Sequence, residues 1–148
     1  MINRFLLFMT LVLVVSCSKD NTDEYATGNT QTGIVGKWKL VETRSDDGGG
    51  NIHVVDQTRE NRIISFDSTG KTTDPQISCE GEYSFTPKEP GETLEPNLVI
   101  SFECKTSNAN IGNGPDRYFA FIRDNNYLSI NHERCIETCA EIYRRLKD

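Results

Sequence analysis

The sequence predicts an all-β domain, an antiparallel sandwich or barrel. Three observations carry this. Short runs of alternating apolar and polar residues recur along the chain with turn residues between them. No stretch of ten or more residues carries an amphipathic helical period. Two of the runs fall into one register that also sets two cysteines opposite each other. The length of 148 residues suits a single domain. A net charge of -6, with no polybasic run, excludes a nucleic-acid footprint. An apolar content of 36% excludes a wholly disordered chain.

The first segment is not part of that domain. Residues 1–4 carry one positive charge and residues 5–15 are apolar apart from Thr10. As a helix this run covers about half of a ~30 Å hydrocarbon core, too short to cross it and right for a signal-peptide core. It ends in Val14-Val15-Ser16-Cys17, which resembles the bacterial lipoprotein lipobox. That resemblance implies a signal peptide over 1–16 and acylation of Cys17, which becomes the mature N-terminus. The alternative is an ordinary secretory signal cut nearby. Several acyl chains, at about 0.8 kcal/mol per buried CH₂, would hold a domain on the membrane. The expected location is therefore the bacterial cell envelope, as an outer-membrane lipoprotein on its periplasmic face or at the cell surface. Cleavage removes Arg4 alone among the charges, so the mature chain is more acidic still. Residues 17–32 are polar, with Tyr25 their only large apolar group, and read as a flexible tether. The domain follows over 33–148.

Within it, residues 35–43 alternate with Trp38 and Leu40 on one face and Lys37 and Lys39 on the other. Asp46-Asp47-Gly48-Gly49-Gly50 then reads as a loop, followed by a short run at 52–55. The run at 62–66 closes at Asp67-Ser68-Thr69-Gly70, a turn signature. Further runs lie at 79–85, 98–104, 117–123, 127–131 and 140–147, for eight candidate strands in all. Cys79 opposite Cys104 pairs Gly81 with Phe102, Tyr83 with Ile100 and Phe85 with Leu98, all on one face. The separation across an antiparallel pair, about 4.5–5.5 Å, permits a disulfide. This register also sets Glu80 against Glu103, which costs a few tenths of a kcal/mol when exposed, roughly. At Asp124-Asn125-Asn126-Tyr127 a two-residue loop at Asn125-Asn126 is expected. It would set Phe121 opposite Ile130 and Phe119 opposite His132, with both phenylalanines facing inward.

With Cys17 set aside, four cysteines remain in an oxidising compartment and allow three pairings. Cys79–Cys104 and Cys135–Cys139 are favoured. A zinc site on Cys135, Cys139 and His132 has acceptable spacing, but export favours disulfides, so no metal is expected. No HExxH, GxSxG or P-loop is present, and no catalytic residue is assigned. Glu80, Glu82 and Glu103 alternate onto a polar face, as surface carboxylates do. No enzymatic activity and no cofactor are expected.

Gly36-Lys37-Trp38 on the first strand and Tyr143-Arg144-Arg145-Leu146 on the last resemble the lipocalin pattern. Cys79-Glu80-Gly81-Glu82-Tyr83 and the closing Cys135/Cys139 pair are similar to the lipocalin-like domains of small Bacteroidetes-type lipoproteins. The resemblance implies an antiparallel eight-stranded up-and-down β-barrel of the lipocalin or calycin type. It implies that Trp38 plugs the barrel floor with an arginine across its ring, Arg145 in preference to Arg144. It also implies a small hydrophobic ligand in the barrel, entered near 46–51. Candidate lining residues are Leu40, Phe66, Tyr83, Phe85, Ile100, Phe102, Phe119 and Phe121, unless these side chains fill the barrel completely. A second class of function is protein binding in the envelope, either as an inhibitor of a basic host enzyme such as lysozyme or as an accessory scaffold.

Overall fold

The structure, a computed structural model, describes residues 24–27, 32–88, 95–104, 115–135 and 139–148. The signal segment 1–16 and Cys17 lie outside the described residues. The described residues form nine strands: β1 (Gly36–Asp46), β2 (Ile52–Asp56), β3 (Ile63–Phe66), β4 (Lys71–Thr73), β5 (Gly81–Phe85), β6 (Leu98–Phe102), β7 (Asp116–Arg123), β8 (Tyr127–His132) and β9 (Cys139–Arg145). Every pairing is antiparallel, and β1 pairs with β9 to close the sheet into an eight-stranded barrel with β2 as an extra strand. Closure leaves the barrel strands without free edges.

β1 is long enough to serve three neighbours. Its first residues pair with β3 and its last with β2 along the same edge, while β9 runs along the other. A register shift between Leu40 and Glu42 bends it there. The run expected at 52–55 therefore forms a strand, but outside the closed ring. The ring is completed by β4, which alternation did not reveal because Lys71-Thr72-Thr73 contains no large apolar side chain. Thr72 still points inward, between Phe66 and Gly81, and is buried.

The β5–β6 register is the expected one, with Gly81 opposite Phe102, Tyr83 opposite Ile100 and Phe85 opposite Leu98. The Cys79–Cys104 disulfide forms just beyond it. β4 also resolves the like-charge problem at this hairpin, because Lys71 Nζ lies 2.8 Å from Glu82 and 4.0 Å from Glu80. The absence of a side chain at Gly81 is required by packing. A Cβ there would sit 2.7 Å from the Phe102 ring and 2.9 Å from the Ser101 carbonyl oxygen. Gly81→Ala should therefore cost about 1–3 kcal/mol, read as a lower urea midpoint with an unchanged slope.

The β7–β8 register differs from expectation. The loop has three residues, Asp124, Asn125 and Asn126, with φ of 52° and 55° at the first two, and Arg123 pairs with Tyr127. One more loop residue turns the strand over. Tyr118, Ala120 and Ile122 face inward, and Phe119 and Phe121 lie opposite Asn131 and Ser129 on the outer face. Two contacts from outside the hairpin hold this register. The Asn125 carbonyl accepts from Arg145 Nε at 2.7 Å. The Asn97 side chain brackets Ala120, accepting from its N–H at 2.7 Å and donating to its C=O at 2.8 Å.

Residues 24–27 do not hang free as a tether would. Tyr25 bridges to Leu146 and is buried under the Arg144 guanidinium, 4.1 Å from its ring. Glu24 reaches Lys39 Nζ at 3.0 Å. Backbone bonds complete the docking beside the end of β9, with the Ala26 N–H on the Arg145 carbonyl at 2.9 Å and the Lys147 N–H on the Glu24 carbonyl at 3.0 Å, and the buried tyrosine with a cation over its ring favours it.

Candidate functional site

The two ends of the barrel are built differently. At the floor Trp38 is 0% exposed and donates its indole N–H to the Ile34 carbonyl at 2.7 Å. The Arg145 guanidinium lies 4.1 Å over the indole ring. Its Nη1 and Nη2 donate to the carbonyls of Val35 and Gly33, each at 2.6 Å. Burial lowers the Arg145 pKa, but an arginine starts high enough to stay charged. This end is packed by Leu40, Phe66 and Leu128, all buried.

The other end is hollow. Two cavities, of about 330 and 260 Å³, meet at Arg62, Tyr118, Ile130 and Glu141. The first continues to Thr43, Arg44, His132, Cys139 and Ala140. The second continues to Ile64, Asp74, Ile77, Ile100, Phe102 and Tyr143. The partition between them is an ion network. Arg62 Nη2 lies 2.8 Å from Asp74 Oδ2, and Nη1 lies 2.5 Å from Glu141 Oε1. The Tyr143 hydroxyl donates to Glu141 Oε2 at 2.5 Å, and the Gln76 N–H donates to Asp74 Oδ1 at 2.9 Å. Burial pulls the Arg62 pKa down, but the two carboxylates outweigh it and hold the group above its ordinary value. Burial, reinforced by Asp116 and Glu141, pushes the Tyr118 phenol up. Burial and Glu141 do the same to Tyr143. Both phenols stay protonated donors.

Each residue assigned to the barrel interior can now be placed. Ile100 and Phe102 line the second cavity. Leu40 and Phe66 belong to the packed core. Tyr83 and Phe85 pack against that core from partly exposed positions, and the Tyr83 hydroxyl donates to the Asp67 carbonyl at 2.6 Å. Phe119 and Phe121 are on the outer face and do not line the interior. The residues missed are Arg62, Asp74, Tyr118 and Glu141, isolated in sequence and in no motif. A weak signal existed for Arg62, which shares parity with Ile64 and Phe66, and for Glu141, which shares it with Tyr143 and Arg145.

The loop over 46–51 is tied rather than slack. Asp46 Oδ1 accepts from the N–H of Gly48 and of Gly50, and Asp47 Oδ1 accepts from those of Gly49 and Asn51. Bonds from Asn51 and Gly49 hold the Asp47 carboxyl below its usual range. Cys135 and Cys139 are joined as a disulfide, which takes both thiols out of a zinc set with His132. His132 instead meets the Tyr118 ring edge-on at 5.2 Å and lies 3.8 Å from Asp116. Glu80, Glu82 and Glu103 sit at the surface by Lys71 and do not reach the cavities. Comparison with protein-family models, curated proteins and solved structures finds no match for this chain.

Proposed function

We propose that this protein binds a small, mainly apolar ligand in the hollow end of its barrel, as a lipocalin-like lipoprotein held on the bacterial envelope through Cys17. The observation that supports this is the pair of adjoining cavities. Together they reach the size range of small-molecule sites, roughly 300–1,000 Å³, and the second sets an apolar wall of Ile64, Ile77, Ile100 and Phe102 beside the polar groups that the two share. The disulfides suit an exported protein. The docked segment 24–27 starts a few residues after Cys17, so the floor of the barrel would face the membrane and the hollow end would point away from it. The test is titration of the full chain, held in lipid nanodiscs, with an environment-sensitive apolar fluorophore. Saturable enhancement beyond that of empty nanodiscs, displaced by an unlabelled apolar competitor, is the expected result. Signal no greater than the lipid control would remove this reading.

A second reading, protein binding, is favoured by β2. Ile52, Val54 and Val55 are 56%, 58% and 51% exposed, on a strand whose outer edge pairs with no other strand among the described residues. Such an edge can accept a strand from a partner. Failure of the cavity to take any probe would leave this reading as the better one.

A further inference from the structure

The chemical class of the ligand can be taken further from the charges around the cavities, an inference that rests on the ligand-binding reading. Among the described residues that line them, the cationic side chains are Arg44 and Arg62. Both are already matched. Arg44 Nε is on Glu42, and Arg62 is held between Asp74 and Glu141. Two carboxylates on one arginine give the partition a net negative charge. His132, the remaining basic side chain of the wall, has Asp116 beside it. A ligand carboxylate entering here would lose its water and compete with protein carboxylates that already hold the arginine. The free head group of a fatty acid is thus disfavoured.

Tyr118 differs from these groups. It lines both cavities, and no hydrogen bond from its hydroxyl to another described residue is present. A hydroxyl that faces a cavity without a protein partner is free to donate, so a ligand that supplies an acceptor gains that bond. Ile100, Phe102 and Ile130 provide the apolar wall beside it.

We propose that the ligand is an amphiphile without an acidic group, an apolar body carrying one hydrogen-bond-accepting head such as a hydroxyl, ester or amide, and that Tyr118 is the specificity-determining donor to that head. The test uses the full chain in lipid nanodiscs at about pH 8, where a carboxylic acid is ionised. Three photoreactive probes share one alkyl chain and end in an alcohol, a carboxylate or no head at all. Labelling of the peptides that contain Ile100, Tyr118 and Ile130 is read by mass spectrometry against concentration. The alcohol should half-saturate at a concentration about tenfold below that of the carboxylate. Tyr118→Phe should weaken the alcohol by about tenfold and leave the headless probe unchanged, which a general loosening of the barrel would not do. A carboxylate that labels as well as the alcohol, or an alcohol indifferent to Tyr118→Phe, overturns the proposal and leaves the cavity a ligand site. If no probe labels these peptides, the ligand reading falls and the proposal falls with it.

Discussion

Arg145→Ala is expected to destabilise the barrel by about 3–5 kcal/mol. Arg145 is 1% exposed and ties three separate stretches of chain, through the carbonyls of Gly33, Val35 and Asn125, while it covers the Trp38 ring. Truncation leaves these carbonyls with a lost charged donor and opens a void against the indole. For a domain of this size the loss corresponds to a fall in Tm of roughly 10–20 °C. Arg145→Lys should recover little of it, since an ammonium cannot reproduce a planar fork that reaches three acceptors. The measurement is direct because Trp38 is the single tryptophan, so its fluorescence reports on the floor itself. A Tm within about 3 °C of wild type for Arg145→Ala would mean that the floor stays closed without the arginine.

The second large effect is expected at the partition of the cavities. Arg62→Ala removes the one cation between Asp74, which is 6% exposed, and Glu141. The buried Asp74 carboxylate then faces the partly exposed Glu141 without compensation, at a cost of about 3 kcal/mol. The cause is charge rather than volume, so neutralising both partners should restore the fold. The triple variant Arg62→Met, Asp74→Asn, Glu141→Gln should recover most of the lost stability, since a buried ion cluster replaced by uncharged groups of similar size is often neutral. Urea unfolding of the single and triple variants decides the point. A triple variant no more stable than Arg62→Ala would show that packing, and not charge, holds the partition.

These two sites differ in how far they were legible. The floor was legible because its members carry a pattern. A tryptophan two residues after a glycine opens the first strand, and an arginine lies in the last, in a layout similar to a known family. The β5–β6 hairpin was legible for a purely physical reason, in that one register satisfied the cysteine pair and the apolar alternation together. β4 was not, because a strand of Lys-Thr-Thr is specified by its neighbours rather than by its own side chains. The faces of β7 were misassigned because Asp124, Asn125 and Asn126 permit loops of more than one length. The choice among them is made by Arg145 and Asn97, residues remote in sequence. The partition was invisible for the same reason, since Arg62 and Glu141 are 79 positions apart.

What the sequence determined alone is the all-β class, the register at Cys79 and Cys104, the four cysteines of the domain and the inward parity of most strands. These follow from period-two alternation and from local chain geometry, which neighbouring residues settle among themselves. Only the tertiary structure decided which strands close the ring, which face of β7 turns inward, and that the barrel is packed at one end and hollow at the other. Closure, a loop register and a buried ion network each depend on groups brought together across the whole chain, and their energies exist only once the barrel has formed.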